Sequence, residues 1–322
     1  MKWKNTLAAT TTLAALYIAS IANAADTSLS GGGLLQVTFE PNDSVTYIYN
    51  FDFDSAAHED CTEEQGPPVV VEAYEGNDLT RTTFDTYCGV VNIRVAGLNG
   101  TNTLVVGNGF SSDGLVIPGK LDIRGGSDND TVVFSNDVDV GSLVLTLRGG
   151  DNRVRGAANA FSPGEDFTPV TSGSLTVNTT LDIDTNNGDD IVNFRALTVG
   201  GTADINVGGG DDKANIFGGG GTNSFNKVFL RLGNGDNEGS IRNTICHLCQ
   251  VFGGGGSDDI FLGRVTAGID VDVIAGGGDD TVELNNVTSG TDVNANGGAG
   301  DDCLIDNGNS ATTVSNFEGC AL

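Results

Sequence analysis

Apolar and polar residues alternate in short bursts along this chain, and past the first two dozen residues they never settle into helical spacing. In Ala203-Asp204-Ile205-Asn206-Val207 and again in Ala214-Asn215-Ile216-Phe217 every second residue is apolar, the period of a strand with one face against a core. Between the two bursts stands Gly208-Gly209-Gly210-Asp211-Asp212, so the unit reads strand, turn, strand. Its clearest copies place Asp190, Asp212, Asn237, Asp258, Asp280 and Asp302 at the same point of the turn, at steps of 22, 25, 21, 22 and 22 residues. A unit this short cannot bury a core alone, and a fixed period of this length marks a solenoid whose coils stack to cover their apolar faces. The pattern predicts an all-β parallel β-helix with coils of about 22 residues.

Weaker copies of the turn extend the series toward the N-terminus, at Asn102, Asp130 and Asn152. The step from Asn152 to Asp190 is 38 residues, one period with a surplus that must leave the stack. Residues 156–173, with Pro163 and Pro169, are where that insertion falls. Residues 25–90 carry no copy. There Val45, Tyr47, Tyr49, Phe51 and Phe53 alternate with polar and small apolar neighbours, the mark of a half-buried strand. The segment reads as a β-rich N-terminal cap on a solenoid spanning 91–322, with an exposed aromatic stripe for carbohydrate as the alternative.

Lys2 and Lys4, an apolar stretch over 7–21 and Ala22-Asn23-Ala24 together read as a secretory signal over 1–24. No later segment is apolar enough to span a bilayer as a helix, so no membrane span is expected. The chain carries a formal charge of −28, and loss of Lys2 and Lys4 with the leader takes it to −30. Such a surface repels nucleic acid and anionic membranes and attracts divalent cations. Export also favours disulfides. Position suggests the local pairs Cys61 with Cys88, Cys246 with Cys249 and Cys303 with Cys320; Cys246-His247-Leu248-Cys249 also allows a redox or metal motif.

The fullest turn, Gly253-Gly254-Gly255-Gly256-Ser257-Asp258-Asp259-Ile260-Phe261, resembles the calcium-binding nonapeptide of the repeats-in-toxin (RTX) family, Gly-Gly-x-Gly-x-Asp-x-apolar-x, at every specified position. So does Gly297-Gly298-Ala299-Gly300-Asp301-Asp302-Cys303-Leu304-Ile305. Residues 275–283 lack only the first glycine and 125–133 only the third. The resemblance implies stacked turns with calcium held by sixth-position aspartates and main-chain carbonyls. Carried over, the ligands are Asp130, Asp190, Asp212, Asp258, Asp280 and Asp302. Family repeats run in tandem every nine residues and make two turn columns, whereas this chain has one turn per coil and so one column. The family also usually leaves the cell without an N-terminal signal.

Electrostatics leads toward the same ion without the family. A 22-residue coil brings the sixth-position carboxylates into line about 4.8 Å apart, where two unit charges repel by about 1 kcal/mol in water and roughly 3–4 kcal/mol at an effective dielectric near 20. A hard divalent cation reverses that sign. The competing reading makes these Asp and Asn side chains turn caps bonded to the backbone. For activity, Arg124, Arg148, Arg153 and Arg155 form the basic cluster, and His58 and His247 are the only histidines. No nucleophile and base stand out at special spacing. The expectation is a secreted, calcium-binding structural or adhesive surface module, with glycan as a candidate partner, and a carbohydrate-active β-helix enzyme as the alternative.

Overall fold

The computed structural model describes residues 25–39, 43–50, 61, 67–75, 80–98, 100–107, 114–158, 173–217, 223–309, 312–318 and 320. They are all-β and contain no helix. The leader read at 1–24, residues 159–172 of the insertion, Phe51, Phe53 and His58 lie outside the described residues.

A typical coil runs through strand Leu197–Asn206, which bends at Gly200 and Gly201, then the glycine–aspartate turn, then strand Lys213–Phe217. Each coil thus offers three strand segments, and each segment pairs in parallel with its counterpart one coil away. Thr198 stands opposite Ser224, Ala203 opposite Val228, and Lys213 opposite both Ile191 and Glu238. Because the register advances by whole coils, inward residues fall into columns. One column runs Leu121, Leu143, Leu181, Ala203, Val228, all fully buried, and burial of each larger aliphatic side chain contributes about 1.5–3 kcal/mol. Parallel stacking of identical faces is what makes the 22-residue alternation a core.

The insertion leaves this register intact. Strand Arg153–Ala158 pairs with Thr131–Ser135 on one side and Ile191–Arg195 on the other, so the coil closes in spite of the longer step. Gly156 sits between Phe134 and Phe194 in the ladder. Those two rings approach to 6.3 Å, and a side chain on Gly156 would run into Phe194.

At the N-terminal end, strands Leu34–Phe39 and Asp43–Asn50 pair in parallel with Asn92–Leu98 and Thr103–Val106, so the coil register reaches back into the segment before residue 91. Antiparallel strands are laid on it: Ala25–Leu29 on Leu34–Phe39, and Val69–Glu75 on Asp43–Asn50, followed by Thr80–Tyr87. Val45, Tyr47 and Tyr49 are buried in a separate cluster with Val70, and the Tyr74 ring meets Tyr47 edge-on at 5.7 Å. Those aromatics are a packed layer rather than an open platform.

Disulfides join Cys61 to Cys88, Cys246 to Cys249 and Cys303 to Cys320, with Cα separations of 5.5, 6.0 and 4.6 Å. Cys246 and Cys249 both point into the core, so the Cys-His-Leu-Cys stretch is a staple across one corner of a coil. Three disulfides fit an extracellular protein, and among the described residues no helix is long and apolar enough to cross a membrane.

Candidate functional site at the turn edge

Stacking dictates the composition of the turn before any ligand is considered. Gly254 and Gly256 have φ of 127° and 112°, a region glycine enters freely and other residues rarely. A side chain on either would strike the carbonyl of Gly233 or Gly235 in the preceding coil. The same holds for Gly276 and Gly278 against Gly254 and Gly256. The repeated glycines are therefore what close contact between turns requires.

The sixth-position residues, Asn102, Asp130, Asn152, Asp190, Asp212, Asn237, Asp258, Asp280 and Asp302, are all buried. From Asp130 onward they form one continuous ladder. The Oδ1 of each accepts the backbone N–H of its counterpart in the preceding coil: Asn152 from Asp130 at 3.0 Å, Asp190 from Asn152 at 2.6 Å, Asp212 from Asp190 at 2.7 Å and Asn237 from Asp212 at 2.9 Å. The series continues with Asp258 from Asn237 at 3.0 Å, Asp280 from Asp258 at 2.8 Å and Asp302 from Asp280 at 3.0 Å. The backbone-capping role weighed from sequence is thus present in every rung.

It does not use the whole side chain. One buried oxygen of each aspartate has no hydrogen-bond partner among the described residues: Oδ1 of Asp130, and Oδ2 of Asp190, Asp212, Asp258, Asp280 and Asp302. In the asparagine coils an N–H2 does the corresponding work. Asn102 donates to the Gly100 carbonyl at 3.0 Å, Asn152 to Gly150 at 2.8 Å and Asn237 to Gly235 at 2.9 Å. An ionised aspartate has no proton to offer such a carbonyl, because both of its oxygens are acceptors. A buried polar atom left without a partner costs about 1–3 kcal/mol, and a charged one more. Six of them call for a proton or a cation.

Burial pushes the carboxyls of Asp130 and Asp212 up to about 7 and those of Asp190, Asp258 and Asp280 up to about 6. Hydrogen bonds pull in the other direction, from the Asn237 side chain and main chain at Asp258 and chiefly from the main chain at the others, and neighbouring acids such as Asp211 beside Asp212 and Asp279 beside Asp280 add to the rise. The donor set suits a hard divalent ion, since every free atom on the line is oxygen. Among the described residues no three His, Cys, Asp or Glu side chains converge on one point, so an ion here draws on main-chain carbonyls beside the carboxylates.

A second ladder runs beside the first, and sequence reasoning did not single it out. Fifth-position residues are exposed, and each Oδ1 accepts from the following coil: Asn129 from Asp151 at 2.7 Å, Asp151 from Asp189 at 3.1 Å, Asp189 from Asp211 at 2.9 Å and Asp211 from Asp236 at 2.9 Å. Asp236 accepts from Ser257 at 2.8 Å, and Asp279 from Asp301 at 3.0 Å. The signal is legible, since Asn or Asp precedes the column residue in nearly every copy, but on a chain of formal charge −28 one more acid beside each column residue does not stand out.

The arginines do not act as one cluster. Arg124 lies on the strand before the turn and pairs with Asp122 at 3.0 Å, where Arg94 and Lys120 also approach at 3.4 and 3.7 Å. Burial of Asp122 works to raise its pKa, but the Arg124 hydrogen bond and the three cations lower it below the usual carboxylate range. Arg148 precedes its turn, while Arg153 and Arg155 follow it on strand Arg153–Ala158. His247 is exposed at the corner stapled by Cys246 and Cys249.

No protein-family model, curated protein or solved structure matches the chain. Fold and site define a disulfide-stapled β-solenoid with a buried carboxyl column along one turn edge.

Proposed function

We propose that this chain is an exported, calcium-binding β-solenoid that serves as a structural or adhesive module outside the cell. The observation carrying the reading is the row of buried aspartate oxygens without partners at Asp130, Asp190, Asp212, Asp258, Asp280 and Asp302. A bound calcium ion supplies the positive charge that offsets stacked carboxylates in a line.

The asparagines refine the reading. At Asn102, Asn152 and Asn237 an amide N–H2 already meets the carbonyl that an ion would meet, so those rungs hold themselves without metal. Ions then belong to the runs of consecutive aspartates, Asp190 with Asp212 and Asp258 with Asp280 and Asp302. The turns of Asp258 and Asp302 are similar to the RTX nonapeptide at every specified position and that of Asp280 lacks only the first glycine, while those of Asp190 and Asp212 depart further from it. Export agrees with the three disulfides and with the leader-like first 24 residues.

Thermal melting in millimolar calcium and in chelator tests the proposal. At a hundredfold excess over Kd each site adds about 2.7 kcal/mol to the folded state, so the midpoint is expected to fall by many degrees on chelation and to recover when calcium is restored. Magnesium, which demands a strict octahedron and dehydrates reluctantly, is expected to restore little. Identical melting in chelator and in calcium overturns the calcium reading and leaves the ladder as backbone capping alone.

A further inference from the structure

Where the coils bearing Asn102, Asp130, Asn152 and Asp190 stack, a cleft of about 450 Å³ opens beside the turn edge. Arg153 lines it, in register between Thr131 and Ile191 of the flanking coils. Three successive rungs of the outer ladder, Asn129, Asp151 and Asp189, form its rim.

Each rim residue commits one oxygen to the backbone of the next coil, at 2.7 Å for Asn129, 3.1 Å for Asp151 and 2.9 Å for Asp189. The ladder therefore fixes these side chains in position and leaves one end of each free. The free ends are the Asn129 N–H2, a donor, and one carboxylate oxygen on each of Asp151 and Asp189, both acceptors. Arg153 adds a planar fork of five donors; it is exposed and makes no ion pair among the described residues. The cleft thus presents preorganised donors and acceptors side by side.

That mixture selects a ligand chemistry. An anion drawn to Arg153 meets two carboxylates and a chain of formal charge −28. A cation drawn to the carboxylates meets the guanidinium. An apolar molecule meets Ile191 and the methyl groups of Thr101 and Thr131 but would leave the charged rim without partners. A neutral polyhydroxylated molecule fits all of it, because each hydroxyl both donates and accepts and a sugar's C–H face can rest on Ile191. The volume falls within the range of small-molecule sites.

We propose that this cleft is a binding subsite for a neutral glycan, with Arg153, Asp151 and Asp189 as the hydrogen-bonding residues. The inference rests on the adhesive half of the proposed function and uses none of the column aspartates.

Titration calorimetry of the full secreted chain with neutral gluco-, manno- and galacto-oligosaccharides, against oligogalacturonate and oligomannuronate, tests it. The expected result is saturable binding of at least one neutral series and weaker or no binding of the uronates. Arg153→Ala is expected to weaken that binding at least tenfold. Asp189→Asn is expected to weaken it several-fold with unchanged melting, since an asparagine already does the same ladder work at Asn129. Binding by no neutral series, tighter binding of uronates, or equal binding by wild type and both variants overturns the proposal. Melting the same samples with and without calcium scores the calcium reading separately, so loss of glycan binding with calcium stabilisation intact rejects the cleft alone.

Discussion

The two ladders of the turn edge are built from adjacent residues of one repeat, yet they are chemically different objects. In both, a side-chain oxygen takes a backbone N–H from the neighbouring coil. The inner ladder reaches toward the N-terminal neighbour, as Asp280 does for Asp258 at 2.8 Å, and the outer toward the C-terminal one, as Asp279 does for Asp301 at 3.0 Å. Together they stitch each turn to both of its neighbours. The difference lies in the second oxygen. On Asp279 it is in water; on Asp280 it is buried and unpartnered. Capping explains both ladders equally well, so capping alone is not what distinguishes the buried aspartates. Burial raises the pKa of Asp130, Asp190, Asp212, Asp258 and Asp280, and the buried, unpartnered oxygen creates the demand for a proton or an ion.

The largest expected effect sets the ladders apart in calcium. Asp258→Asn with Asp280→Asn keeps both ladder acceptors, as Asn237 does, but fills two ion positions with amides; at a hundredfold excess over Kd it is expected to lose roughly 5 kcal/mol of calcium-dependent stability. Asp279→Asn with Asp301→Asn is expected to lose almost none. Equal loss in the two double variants, read as the shift in melting between calcium and chelator, erases the distinction.

In chelator the comparison turns on backbone satisfaction. Asp258→Ala strands the buried N–H of Asn237, which now bonds to Asp258 at 3.0 Å, at a cost of about 1–3 kcal/mol. Asp279→Ala exposes the Asp301 N–H to water and is expected to cost less than about 0.5 kcal/mol, as surface changes do. Urea denaturation of both variants measures the gap.

A smaller effect is the pH dependence of the metal-free protein. Column carboxyls raised to about 6 or 7 from an ordinary value of 3.8 bind protons more tightly folded than unfolded. Their contribution is fully present below pH 3.8 and is lost as the pH rises through about 6 to 7. Self-repulsion among the other acids runs in the same direction, so the column's share is read from Asp212→Asn, whose stability in chelator is expected to fall less steeply over that window. A slope identical to wild type means Asp212 is not perturbed.

The smallest expected change is Asn237→Asp. It removes the 2.9 Å bond to the Gly235 carbonyl and joins two aspartate runs into one. The variant is expected to melt slightly lower in chelator and slightly higher in calcium, and a shift of the same sign in both conditions breaks the assignment of asparagines as metal-free rungs.

Much of this architecture was legible because it is repetitive. A glycine–aspartate turn every 22 residues, flanked by period-2 alternation, has few stacked solutions, and proximity in sequence singled out the three disulfide pairs. Another corner of the coil was not legible. It follows the strand after the turn and places Asn136, Ala196, Asn243, Arg264 and Asn286 at φ between 50° and 60°. Asparagine enters that region at modest cost, but Ala196 and Arg264 carry no such preference, and the stacked strands on either side hold them there. The N-terminal layer was hidden for a related reason, since alternation in Val45, Tyr47 and Tyr49 reports a strand without saying what covers its outer face.

The sequence by itself determined the coil length, the strand periodicity, the position of the turn and the line of its carboxyl groups, because each depends on spacing along a repeating chain. Only the tertiary structure decided which of two neighbouring aspartates is sealed inside and which meets water. That choice depends on how far each side chain extends into the gap between stacked turns, and the gap exists only once the neighbouring coils are in place.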